Sequence, residues 1–179
     1  MVDLVLLQTL SYIAGAISVV LGVIYYAVNL RESRRNGRIT LVNNLMQKME
    51  TPDYHRMYIT LMNYEWKDYD DFEKKYGSDN NLDSCAYRLS SWRYFNGLGY
   101  MLKNNMVDAE VLYNHGGDGC IWMWDKFESV IRNMRKVYHT GDSWLWGFEY
   151  LADEMTKIAK MRDPSYFVPD TFYRYVTEK

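Results

Sequence analysis

The chain has 179 residues, 48% of them hydrophobic and 16% aromatic, with 21 basic and 23 acidic side chains. A net charge of −2 argues against the broad phosphate-tracking surface of a general nucleic-acid binder. Cys85 and Cys120 form no CxxC pair and His55, His115 and His139 give no HExxH, so no metal or other cofactor is expected and both thiols read as reduced core residues.

Residues 4–30 carry no formal charge. At ~1.5 Å of rise per residue they make a helix of roughly 40 Å, more than the ~30 Å hydrocarbon core requires. The expectation is one membrane-spanning helix over residues 1–30. Along it Gln8, Ser11, Gly15, Ser18, Gly22, Tyr25 and Asn29 recur at alternating steps of four and three. That heptad stripe of small and polar residues favours a left-handed seam against other helices. Two uses stay open: a packing seam in a dimer or bundle, or the lining of a water-filled lumen in a ring. Either makes the chain a homo-oligomer, since it offers no second span.

Arg31, Arg34, Arg35 and Arg38 follow at once, in a basic segment over residues 31–38. By the positive-inside rule they put the amino terminus outside and residues 39–179 in the cytoplasm, and they can touch anionic headgroups. Ala14-Gly15-Ala16 resembles a signal-peptide cleavage box, but no basic residue precedes it and the apolar run continues beyond it, so the anchor reads as retained.

The remainder holds 17 basic and 21 acidic residues, a net of −4. Ile39, Val42, Leu45, Met46 and Met49 mark a helical face, continuous with the anchor or hinged near Asn36-Gly37. Thr51-Pro52-Asp53 is a helix start, with Tyr54, Met57, Tyr58, Leu61 and Met62 on the apolar face and Trp66 a candidate to extend it. A short helix is expected up to Tyr76, before Gly77. A long one should place Leu82, Ala86, Leu89, Trp92 or Arg93, Phe95, Leu98 or Gly99, and Leu102 inward, closing at Asn104-Asn105. Asp108 caps a short helix. Gly116-Gly117-Asp118-Gly119 reads as a turn with Asp118 as the next cap, not as a phosphate loop.

The second long helix spans residues 120–138, with Ile121, Trp124, Phe127, Ile131, Met134 and Tyr138 inward and Lys126, Arg132, Arg135 and Lys136 on the opposite face. Asp142 or Ser143 starts the last, burying Leu145, Phe148, Leu151, Ala152, Met155 and Ile158. Pro164 and Pro169 break the tail, and residues 173–176 could dock as a final turn. With no strand alternation the domain reads as an all-α bundle. Asp70-Asp71 and Asp153-Glu154 are solvated carboxylates without a catalytic partner, and the six Trp and 17 Tyr read as packing residues.

One spacing suggests chemistry. Arg132-Asn133 is followed by His139 at a helix end. An Arg can stabilise charge developing on a phosphate and a His can move the proton of an RNA 2′-hydroxyl. This order resembles the motif of the all-helical, metal-independent HEPN ribonucleases. The anchor, basic flank, small α domain and RN-x5-H motif together resemble the small membrane-anchored accessory proteins of type VI-B CRISPR systems. Residues 87–139 and 143–155 also resemble a bacterial membrane-associated domain of unknown function, in the order Asn96-Gly97-Leu98, Gly116-Gly117, Trp124-x-x-Phe127.

The first resemblance implies a HEPN-like cytoplasmic bundle on a homo-oligomeric inner-membrane pore that depolarises an infected cell, linked to an RNA-guided effector. About six helices are needed before a ring of ~10 Å rods encloses a lumen; near eight is expected. The alternatives are a membrane-tethered ribonuclease using Arg132, Asn133 and His139, in which case RNA is a partner, and a non-enzymatic scaffold.

Overall fold

The computed structural model describes residues 4–168, less the side chains at 34, 35, 38, 46 and 48. The described residues form seven α-helices and one 3-10 turn, with no strand. The helices are α1 (Leu4–Met49), α2 (Pro52–Met62), α3 (Tyr69–Tyr76), α4 (Leu82–Lys103), α5 (Ala109–Asn114), α6 (Gly117–Val137) and α7 (Trp146–Arg162), the turn being Gly141–Ser143. Packing divides the chain into two units, Met1–Asn44 and Leu45–Lys179. α1 runs without a break through Asn36-Gly37. The expected turn at residues 173–176 lies outside the described residues.

Four helix starts follow directly from capping chemistry, in which a side-chain oxygen takes one of the orphan N–H groups of the first turn. Thr51 Oγ1 accepts from Tyr54 N at 3.2 Å, with Pro52 at the first helical position. Asp68 accepts from Asp71 N, Asn81 from Ser84 N, and Asp108 from Glu110 N, at 2.8, 2.9 and 2.9 Å. Two starts differ from expectation. α6 begins at Gly117 behind Gly116, whose φ of 108° needs a glycine, and Asp118 sits in the first turn instead of capping it. α7 begins at Trp146, not Asp142 or Ser143, because Leu145, with its side chain buried, adopts a left-handed φ of 59° that a helix cannot continue through.

The core of Leu45–Lys179 lies between α4, α6 and α7. Phe95 stacks on Phe148 at 5.1 Å, Trp124 meets Phe148 edge-on at 5.1 Å, and Phe127 meets Trp92 edge-on at 5.4 Å. Trp66 covers Phe127 from the α2–α3 connection at 5.3 Å. The expected inner faces of α6 and α7 are buried, except Tyr138, which is exposed.

α4 and α7 cross where both backbones lack side chains. A Cβ on Gly99 would fall inside the Gly147 carbonyl, 2.9 Å from the Gly147 Cα. Gly147 N donates to Asn96 Oδ1 at 2.9 Å across the same crossing. Asn96-Gly97-Leu98 supplies this acceptor, Gly116-Gly117 the left-handed start of α6, and Trp124-x-x-Phe127 part of the aromatic core.

Candidate functional site

The apolar part of α1, Leu4–Ser33, is 30 residues long, and none of it is buried. Its large apolar side chains range from 40% exposed at Leu30 to 78% at Leu4. Such a helix is long and apolar enough to cross a membrane. Polar side chains on and beside its stripe find partners within the helix. Ser11 Oγ donates to Leu7 O at 2.9 Å and Ser18 Oγ to Ala14 O at 2.8 Å; off the stripe, Thr9 Oγ1 donates to Val5 O at 2.9 Å. Gln8 Nε2 donates to Tyr12 Oη at 3.1 Å. Each of these donors is thus satisfied within the helix, which removes the several kcal/mol that an unpaired polar group costs in hydrocarbon. At Gly15 and Gly22 an added Cβ would meet nothing within 4 Å. Tyr25 and Asn29 are exposed.

The RN-x5-H residues sit at the end of α6. Arg132 is held by two carboxylates: Nη2 lies 2.8 Å from Glu128 Oε1 and 2.9 Å from Glu149 Oε1. The hydrogen bond with Glu128, chiefly, raises its already high pKa. Asn133 Nδ2 donates back to Ser129 O at 2.8 Å. His139 is exposed with φ 53°, the left-handed residue that ends the helix, and its N–H reaches Lys136 O at 3.3 Å. Arg132 and Asn133 thus engage side chain and backbone of their own helix and of α7, while the His139 backbone closes it.

Arg135, one turn on, corrects the expectation that it lies on the solvated face. It is 4% exposed. Its Nη1 lies 2.7 Å from Glu149 Oε2, its Nε donates to Trp144 O at 2.9 Å, and its guanidinium covers Trp124 at 5.9 Å. Glu149 therefore bridges Arg132 and Arg135, one oxygen to each, and ties α6 to α7. The signal was in the spacing, since Arg135 falls four after Ile131 and eight after Phe127, in line with the apolar stripe. A partner fourteen residues away was not legible.

The first half of α4 is also corrected. Leu82 and Ala86 are exposed, and the inward face is Ser84, Arg88 and Ser91, continuing into Phe95, Leu98 and Leu102. Arg88 is 3% exposed. Its Nη2 donates to Tyr76 O at 2.6 Å, and its guanidinium lies over Phe72 at 4.9 Å and Trp92 at 5.4 Å. Desolvation lowers its pKa. The cation thus replaces an apolar residue by laying a flat, weakly hydrated group on aromatic faces.

Burial pushes the Cys120 thiol up, in keeping with an inert core position, and Cys85 Sγ sits 3.2 Å from Ser78 Oγ. Burial also lowers Lys126 to about 8, beside the Trp66 ring at 5.1 Å. A surface cleft of about 260 Å³ lies between α6, α7 and Tyr166. Among the described residues no three His, Cys, Asp or Glu side chains converge as metal ligands.

Residues 16–155 match the family described as a domain of unknown function, DUF4760. The chain belongs to this family. The DUF4760 region begins at Ala16, inside the apolar span, and ends at Met155 in α7. It therefore takes in more than half of the span, α2 to α6, the Arg132–Glu149–Arg135 bridge and the Gly99–Gly147 crossing. No curated protein and no solved structure matches the chain.

Proposed function

We propose that the chain is a single-pass protein of the bacterial inner membrane whose α1 helices assemble around the Gln8–Asn29 stripe into a pore. The carrying observation is the complete exposure of a 30-residue apolar helix. In water that surface is far larger than the few hundred Å² of apolar patch a soluble monomer exposes, and lipid together with further copies of α1 would cover it. The stripe supports the ring: its hydroxyls bond within the helix yet retain acceptor capacity toward a lumen, and its glycines are open to a neighbour. Arg31, Arg34, Arg35 and Arg38 support an external amino terminus and a cytoplasmic α domain.

The resemblance to type VI-B CRISPR accessory proteins supplies the physiological setting: a pore that depolarises the membrane during RNA-guided antiphage defence. The ribonuclease alternative has the weaker basis, because the Arg132 guanidinium is shared between Glu128 and Glu149 instead of facing an open phosphate site. The direct test is ionic conductance across a planar bilayer by the purified full chain, alongside metal-free incubation with RNA. Discrete conductance without cleavage is expected. Electrical silence in every lipid mixture, with RNA cleavage lost in Arg132→Ala and His139→Ala, would replace this reading with the enzymatic one.

A further inference from the structure

The last turn of α1, Leu45–Met49, is held differently from the exposed helix before it. Leu45 and Met49 are half-buried. Tyr94 of α4 donates its hydroxyl to Leu45 O at 3.0 Å, across 49 residues of sequence. That carbonyl is the fifth from the helix end, still within the i+4 ladder, so the hydroxyl engages its second lone pair. The Tyr94 ring is itself fixed, edge-on to Tyr54 of α2 at 6.0 Å and to Phe95 at 5.8 Å. Burial pushes its phenol up to about 12, so it remains a protonated donor at any physiological pH.

Met49 supplies the second hold. With Phe95, Leu98, Leu112, Cys120 and Met155 it lines a cavity of only about 10 Å³, a nearly filled seat in the core. Gly116 shapes the rim: a Cβ there would lie 3.7 Å from Met49 Cε.

We infer that Tyr94 is the clamp through which α2 and α4 control the terminal turn of α1, so that a rearrangement of these two helices passes into the helix that carries the apolar span. The clamp joins a hydroxyl on α4 to the main chain of α1, so its bond can be removed while the surrounding packing, the Met49 seat included, stays in place. The clamp stands on the geometry of Leu45–Lys179 alone; only its effect on conductance rests on the pore reading.

The experiment is hydrogen exchange on the full chain in detergent, comparing the parent with Tyr94→Phe, which keeps the ring and deletes the donor. Loss of one neutral hydrogen bond corresponds to about a fivefold change. Amides of residues 45–50 are expected to exchange about fivefold faster, with α6 and α7 unchanged. Met49→Ala, which leaves Tyr94 in place, should accelerate the same amides. Unchanged exchange at 45–50 in Tyr94→Phe overturns the clamp, and so does an equal acceleration across α4, α6 and α7. In the bilayer assay Tyr94→Phe should alter the open fraction while leaving single-channel conductance as it was; gating identical to a conducting parent overturns the control role. A parent that never conducts overturns the pore reading, and exchange then decides the clamp by itself.

Discussion

Gly97 and Gly99 are two residues apart on α4 and predict opposite responses to the same substitution. At Gly99 the new Cβ would lie 1.7 Å from the Gly147 carbonyl oxygen and 2.5 Å from its carbon. Non-bonded contacts settle near ~3.5 Å, so relieving the oxygen contact alone needs α4 and α7 to separate by about 2 Å at their crossing. Overpacking of this kind costs roughly 1–3 kcal/mol or more. The bond from Gly147 N to Asn96 Oδ1, now 2.9 Å, would stretch with it, adding about 1 kcal/mol. Alanine returns up to ~1 kcal/mol of helix propensity, leaving a net loss of about 1–3 kcal/mol. At Gly97 an added Cβ meets nothing within 4 Å, so Gly97→Ala keeps the propensity gain and stabilises by about 0.5–1 kcal/mol. Thermal unfolding of the full chain in detergent, followed by tryptophan fluorescence, should lower the midpoint of Gly99→Ala by several degrees and slightly raise that of Gly97→Ala. Equal midpoints for the two variants would refute the close crossing.

Three other outcomes follow from the same structure. Glu149→Gln should destabilise by about 2–3 kcal/mol by urea titration, because it weakens the pairing of the buried Arg135, whereas Arg132→Ala, whose pairs are half-exposed, should cost under about 1 kcal/mol; equal losses would contradict the difference in burial. Lys126 has a lowered folded pKa of about 8, so between about pH 8 and 10 the unfolded chain binds more protons there and stability should rise with pH. Lys126→Met should flatten that rise, and an unchanged slope in the variant would assign it elsewhere. Gly15→Leu and Gly22→Leu meet open space within one protomer, so any loss of assembly they cause, read by size in detergent, is a loss between copies; unaltered size would remove the stripe from the contact.

How much could be read from the sequence depended on the range of the interaction. Thr51 and Asp108 act within three residues of themselves and were legible as caps; Asp68 and Asn81 act over the same range, and the structure adds them as caps. The apolar faces of α6 and α7 follow from periodicity alone. What escaped needed a partner far along the chain or a residue outside its usual conformation. Arg135 is buried because Glu149 and Trp144 receive it, and Arg88 because Phe72, Trp92 and Tyr76 do. Leu145 takes a left-handed backbone that its side chain does not advertise. Of the candidate site, the apolar span and its stripe were legible because composition and spacing define them. The pairing of Arg132 with Glu149 was not, and it decides what that arginine is available to do.

The mass of the intact particle in detergent bears most directly on the claim that α1 gathers copies of itself inside a bilayer. Native mass spectrometry of the purified full chain should give one closed assembly of about six or more protomers, the number at which ~10 Å helices enclose a lumen. A chain that stays monomeric in detergent, or that remains soluble and solitary without any, would contradict it.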